Sequence, residues 1–105
     1  MTEEERLKKI LESEERRRKV VENFWDLEYP KKSIQEKIAF WSGSLYSQMR
    51  WNGESGFDEM AVFSKSNYLY WKSREPDFDS LLPFIIKKLG PWVSEEEVYK
   101  KIKGE

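Results

Sequence analysis

The segment "SIQEKIAFWSGSLYSQMRW", residues 33–51, is compatible with two opposite secondary structures. Its apolar residues recur at helical spacing after a capping box that opens with Ser33. These residues are Ile34, Ile38, Trp41, Leu45 and Met49. Against a helix, Gly43 lies between two serines, and the aromatic residues around it suit a pleated surface. We therefore favour a hairpin, with strands over 37–42 and 45–51, over the helix that the spacing also allows.

The rest of the chain predicts an α+β fold in two layers. "EMAVFS", residues 59–64, and "YLYWKS", residues 68–73, have the composition of paired strands, so we expect an antiparallel meander of about four strands. An N-terminal helix precedes this sheet and two C-terminal helices follow it, the last two separated by Gly90-Pro91. We expect a single domain over 1–105, made of a leading helix (1–26), an aromatic-rich sheet (33–73) and C-terminal helices (78–103).

Composition excludes several kinds of chemistry. The 105 residues include no Cys and no His, which removes disulfides, thiolates, common zinc sites and imidazole catalysis. No Walker A, dinucleotide or nucleophile-elbow motif is present, so we expect no enzyme, no cofactor and no metal. The N-terminus is too polar for a signal peptide and no apolar run suits a membrane span, which predicts a cytoplasmic protein without a membrane partner. Abundant Lys, Arg and Glu without Cys fits thermophile usage.

Strand alternation would give the predicted sheet two unlike faces. One face would carry Leu45, Met49 and Trp51 together with Leu69 and Trp71, and these residues suit a core covered by helices. The other face would carry tyrosines interleaved with Gln, Arg and Lys. Such tyrosines can be ordinary cross-strand pairs on a wet surface. They can also form a platform on which unstacked bases lie.

From this face we predict binding of single-stranded nucleic acid, DNA or RNA, with low sequence specificity. Stacking on aromatic rings is worth roughly 1–3 kcal/mol per base and does not depend on base identity. The stacking rings would be Tyr46, Tyr68 and Tyr70, with Trp41 or Trp51 as helpers. The phosphate contacts would be Arg50 and Lys72, with Arg17, Arg18 and Lys31 as a basic rim. The net charge of −1 supplies no general attraction for nucleic acid.

The N-terminal helix suggests an alternative function. Its Leu7, Ile10 and Leu11 form an apolar stripe, whereas "ESEERRRK", residues 12–19, contains no apolar residue. The charges of this run can be a solvated face of ion pairs. If the helix projects from the domain, a partner helix would have to cover the stripe. The chain would then be a protein-interaction or homo-oligomerisation module with no nucleic-acid role, and the helix could form a homodimer.

The charged leading helix and the aromatic segments "SLYSQMRW" and "SNYLYWKS" with their basic neighbours together resemble the ThermoDBP-related proteins. That family comprises archaeal single-stranded DNA-binding proteins that stack bases in an aromatic cleft flanked by basic residues. The resemblance implies an archaeal, thermophilic source and the same ligand for this chain. It extends over most of the sequence but lacks the long C-terminal zipper that some relatives carry.

Overall fold

The structure, a computed structural model, describes residues 2–104, and most of these residues are helical. Within that range there are five α-helices and no strand. The helices are α1 (Glu3–Asn23), α2 (Ile34–Glu54), α3 (Lys65–Arg74), α4 (Phe78–Leu89) and α5 (Glu95–Ile102). The predicted α+β fold with a four-stranded sheet over 33–73 is therefore wrong. The chain divides after Lys32 into two compact units.

The first unit is dominated by α1. Thr2 and Glu5 form a capping box, with the Glu5 amide donating to Thr2 Oγ1 at 3.3 Å. The helix continues into a π-helical turn, Phe24–Glu28, and a short 3-10 helix that contains Pro30. The rings of Trp25 and Tyr29 pack at a centroid distance of 5.0 Å beside Phe24. No residue of α1 is buried.

The second unit begins with α2, which replaces the predicted hairpin of strands 37–42 and 45–51. The helical spacing seen in the sequence is the one that the structure uses. The buried residues of α2 are Ile38, Trp41, Ser42, Leu45 and Met49. Gly43 lies on the exposed side, where an added Cβ would meet nothing within 4 Å. A helical glycine costs only about 1 kcal/mol relative to alanine, and the burial of several large side chains outweighs that cost.

The two strands predicted at 59–64 and 68–73 are also helical. The first is a 3-10 helix, Glu59–Val62, whose Met60 amide donates to the carboxylate of Asp58 at 3.0 Å. The second is α3, which begins at a side-chain cap from Ser64. Caps of this kind satisfy amide donors that a helix start leaves free, so they favour the helix over the local strand preference of Tyr and Trp.

Phe78, at the start of α4, is the centre of the core of the second unit. It is fully buried, and the rings of Trp41 from α2 and Trp71 from α3 pack against it at 5.2 and 5.5 Å between centroids. The two C-terminal helices that the sequence predicts are present, and α4 ends at Gly90, which adopts a φ of 69°. Such a positive φ favours glycine at a helix end.

A partly buried ion pair joins the start of α2 to the end of α3. Lys37 Nζ lies 3.0 Å from Glu75 Oε1, and the Glu75 side chain is only 6% exposed. A buried carboxylate is tolerated when a cation and hydrogen bonds compensate its lost hydration. The pair thus holds two helices of the same unit in one arrangement.

Candidate functional site

Three of the predicted nucleic-acid-binding residues share the exposed side of α2. Tyr46 and Arg50 are one turn apart, and Trp51 follows Arg50. Together with Ser47 and Glu54 they line an open depression of about 330 Å³, which we call the α2 surface. Trp51 was expected in the core on strand alternation, and this is wrong: its side chain is 66% exposed. The helix therefore brings an exposed indole next to a guanidinium.

The charge on the α2 surface is largely compensated. Arg50 Nε lies 3.2 Å from Glu54 Oε1, four residues later on the same helix. This hydrogen bond, which Arg50 donates to Glu54, followed by the charge of Tyr46, raises the pKa of the Arg50 guanidinium. A phosphate that approaches Arg50 would have to compete with this carboxylate. The predicted phosphate contact is thus weaker than an unpaired arginine would provide.

The predicted sites on α3 are separated by the helix. On a strand, Tyr68 and Tyr70 would share a face. On a helix, two positions that are two residues apart differ by about 200° in direction around the axis, so these tyrosines point to nearly opposite sides. The hydroxyl of Tyr68 donates to Asp79 Oδ1, and Lys72 Nζ lies 2.9 Å from Asp79 Oδ2. Tyr70 is exposed, with the Arg74 guanidinium 5.6 Å from its ring centre. The shared tyrosine platform is therefore absent, and Lys72 already has a carboxylate partner.

Asp79 controls the electrostatics of this cluster. The hydrogen bond from Tyr68, and then that from Lys72, lowers the pKa of the Asp79 carboxyl. The same hydrogen bond to Asp79 raises the pKa of Tyr68, and the Lys72 pKa is raised for the same reason. These mutual shifts mean that the three groups stabilise one another in their neutral-pH forms. The cluster fastens α3 to α4.

The remaining predicted residues are dispersed. Trp41 is 3% exposed and packs edge-on against Phe78, so the proposal that it stacks on a base is wrong. Arg17 and Arg18 lie on α1, and Lys31 lies in the 3-10 helix that follows; all three are exposed. They belong to the first unit, while the aromatic residues of the predicted site belong to the second. Their role as a basic rim stays a prediction.

The sequence analysis missed a groove between α2 and α4. It has a volume of about 390 Å³ and is lined by Gln35, Ile38, Phe84, Lys87 and Lys88. The Phe84 ring is 58% exposed. Within residues 2–104, neither lysine forms an ion pair. Phe84 lies on a different side of α4 from the buried residues of that helix. The helical spacing of the apolar residues in α4 would have predicted that this ring is exposed.

The most extensive uncovered apolar feature of the first unit runs along α1. Leu7, Ile10 and Val21 are 60%, 52% and 50% exposed. They belong to a set spaced alternately three and four residues apart, which is the spacing of a coiled-coil seam. We call this set the α1 seam: Leu7, Ile10, Glu14, Arg17, Val21 and Phe24. Its last member, Phe24, opens the π-helical turn after α1 and is half-buried against Trp25 and Tyr29. Near its C-terminal end, Val20, Val21, Asn23, Phe24, Trp25 and Glu28 line a groove of about 510 Å³.

Comparisons of the chain with protein-family models, with curated proteins and with solved structures gave no significant match. The resemblance to the ThermoDBP-related proteins therefore stays a prediction. Across residues 2–104 no three acidic side chains cluster as metal ligands would. In the same range, every helix is too short or too polar to cross a membrane.

Proposed function

We propose that this protein is a homo-association module, in which α1 of one copy packs against α1 of a second copy. The observation that carries the proposal is a 21-residue helix in which no residue is buried, although it bears a seam of large apolar side chains. Uncovered apolar stripes on soluble helices mark surfaces that pack against a partner. The proposed activity is binding, and no catalytic step is involved.

Energetics favour a partner for this helix. Most of the stability of a helix in a protein comes from packing of its apolar face, and α1 buries no residue within its own chain. Burial of one Leu, Ile or Val side chain contributes about 1.5–3 kcal/mol. A dimer buries each seam residue twice, once in each copy. Association would therefore both stabilise α1 and remove its apolar side chains from water.

The test is the molar mass in solution as a function of concentration, measured by sedimentation equilibrium. We expect a dimer of twice the 12.7 kDa chain mass at micromolar concentrations. Ile10→Lys should give a monomer, because it places a charge in the seam. Leu69→Lys is the matched control, since Leu69 is 54% exposed but lies on α3. A monomeric wild type at millimolar concentration, or a dimeric Ile10→Lys, would overturn the proposal.

Single-stranded nucleic-acid binding is a second candidate, supported now by two exposed rings with cations beside them. These are Trp51 on the α2 surface and Phe84 in the groove with Lys87 and Lys88. Such rings can stack on bases while the cations meet phosphates. This candidate does not require Tyr68, Lys72 or Trp41.

The second candidate is tested by fluorescence anisotropy with labelled oligo-dT and oligo-U at low salt. Trp51→Ala and Phe84→Ala should each weaken binding by about 5- to 150-fold, which corresponds to one stacked base. Phe57→Ala is the control, because its ring is 66% exposed but lines neither surface. No binding at low salt, or equal effects of all three substitutions, would reject this candidate.

A further inference from the structure

We infer that the two copies of α1 pair in antiparallel orientation and in one register, with the two-fold axis between Glu15 and Arg16. The inference rests on the proposed homo-association and names its partner surface. In this register, seam positions whose residue numbers add to 31 face one another. Leu7 faces the partner's Phe24, Ile10 faces the partner's Val21, and Glu14 faces the partner's Arg17.

The apolar ends of the seam match in this register. Two heptad positions at the N-terminal end, Leu7 and Ile10, meet two at the C-terminal end, Val21 and Phe24. The groove of about 510 Å³ beside Val21 and Phe24 gives space for the side chains that arrive from the partner. A pair of helices in this arrangement has two apolar layers at each end and two polar layers in the middle.

The polar middle of the seam decides the orientation. In a parallel pair in register, Glu14 would face the partner's Glu14 and Arg17 would face the partner's Arg17, so each central layer would hold like charges. In the antiparallel pair, both layers hold one carboxylate and one guanidinium. Within the described part of the chain, neither residue forms an ion pair, so both are available to a partner. A polar pair inside a coiled coil costs some stability but fixes orientation and register.

Charge substitutions test the register. Glu14→Arg alone places two arginines face to face at both central layers of the dimer, and Arg17→Glu alone places two glutamates there. Each variant should be monomeric by sedimentation equilibrium at concentrations where the wild type is a dimer. An equimolar mixture of the two variants should form heterodimers, because every introduced charge then faces its opposite. Each substitution has the same effect on its own helix whether or not the other variant is present. Recovery of the dimer on mixing would therefore come from contacts between the two copies.

Spin labels test the orientation. The chain has no cysteine, so Lys8→Cys and Ser13→Cys each carry a single label. In the proposed pair, position 8 faces position 23 and the two labels lie about 22 Å apart along the axis, from a rise of 1.5 Å per residue. For position 13, which faces position 18, the axial offset is about 8 Å. A parallel pair in register would give no axial offset at either position.

The outcomes separate this inference from the proposed function. If the wild type is a dimer but the label at position 8 shows no axial offset, or the charge variants do not recover on mixing, the antiparallel register is overturned and homo-association still stands. A wild type that stays monomeric removes both. Recovery on mixing together with the longer distance at position 8 supports the arrangement that we infer.

Discussion

The hydroxyl of Tyr68 lies 2.5 Å from Oδ1 of Asp79, and through this contact the middle of α3 is bound to the first turn of α4. Lys72, one turn after Tyr68, binds the other oxygen of the same carboxylate at 2.9 Å. The ring of Tyr68 also packs near Phe78, with 6.3 Å between centroids. One acidic side chain therefore organises the exposed edge of an interface whose interior is aromatic.

Tyr68→Phe should lower the free energy of unfolding by about 1 kcal/mol, because it removes one hydrogen bond and keeps the ring. Tyr70→Phe is the matched control, since the Tyr70 side chain is 49% exposed on another side of the same helix. Urea denaturation of both variants and the wild type measures the difference. Equal stability of the two variants would show that the Tyr68–Asp79 contact contributes nothing.

The stability of the fold should depend on the charge of Asp79. Because its pKa is lowered by Tyr68 and Lys72, the contribution is full above the ordinary pKa of an Asp, near 3.9. It is lost as the pH falls below that value and through the lowered pKa, where the carboxylate becomes protonated. Thermal unfolding should show that Asp79→Asn loses less stability than the wild type between neutral pH and about pH 2. If stability falls equally with pH in the wild type and in Asp79→Asn, the charge of Asp79 does not stabilise the fold.

Two tryptophans should differ sharply in their effect on stability. Trp71 is 4% exposed and packs against Phe63 and Phe78, so Trp71→Ala should cost about 3–5 kcal/mol. Trp51→Ala removes a side chain of the same size from the surface and should change stability by no more than about 0.5 kcal/mol. Urea denaturation followed by circular dichroism measures both. Similar losses in the two variants would mean that Trp51 is packed in solution.

Gly43→Ala should stabilise the second unit by about 0.5–1 kcal/mol, because alanine loses less conformational entropy in a helix. The added methyl meets nothing within 4 Å. Gly53, in the same helix, provides the contrast: a Cβ there would lie 2.6 Å from Glu59 Oε1, so the side chain of Glu59 would have to move. We expect the midpoint in urea to rise for Gly43→Ala only. A lower midpoint would indicate that position 43 is not helical.

Local signals were sufficient for three of the five described helices. Thr2 and Ser94 cap the starts of α1 and α5, and Gly90 ends α4, where Pro91 follows. Helix caps and helix stops depend on residues within a few positions of one another, so they can be recognised from the sequence alone. For α2 the decisive information was also present, as a period of buried residues. The error lay in weighting one glycine above five apolar positions.

For α3 and for the candidate site, the deciding contacts are made with a neighbouring helix and not within the segment itself. A ten-residue segment rich in Tyr and Trp prefers a strand when considered alone. Its helical form depends on Trp71 reaching Phe78, and no local pattern reports that packing. The pairing of Lys72 with Asp79 is equally non-local in origin, because it exists only once α3 and α4 are docked. The separation of Tyr68 from Tyr70 followed directly from this change of structure.

Because α1 buries no side chain, it should also be the part of the chain most open to proteolysis. A helix that buries no side chain can open without disturbing other elements. Its seven Lys and Arg residues are sites for trypsin-like cleavage. Pairing with a second copy would protect these sites, and the paired fraction rises with protein concentration. Resistance of α1 to digestion should therefore increase with protein concentration.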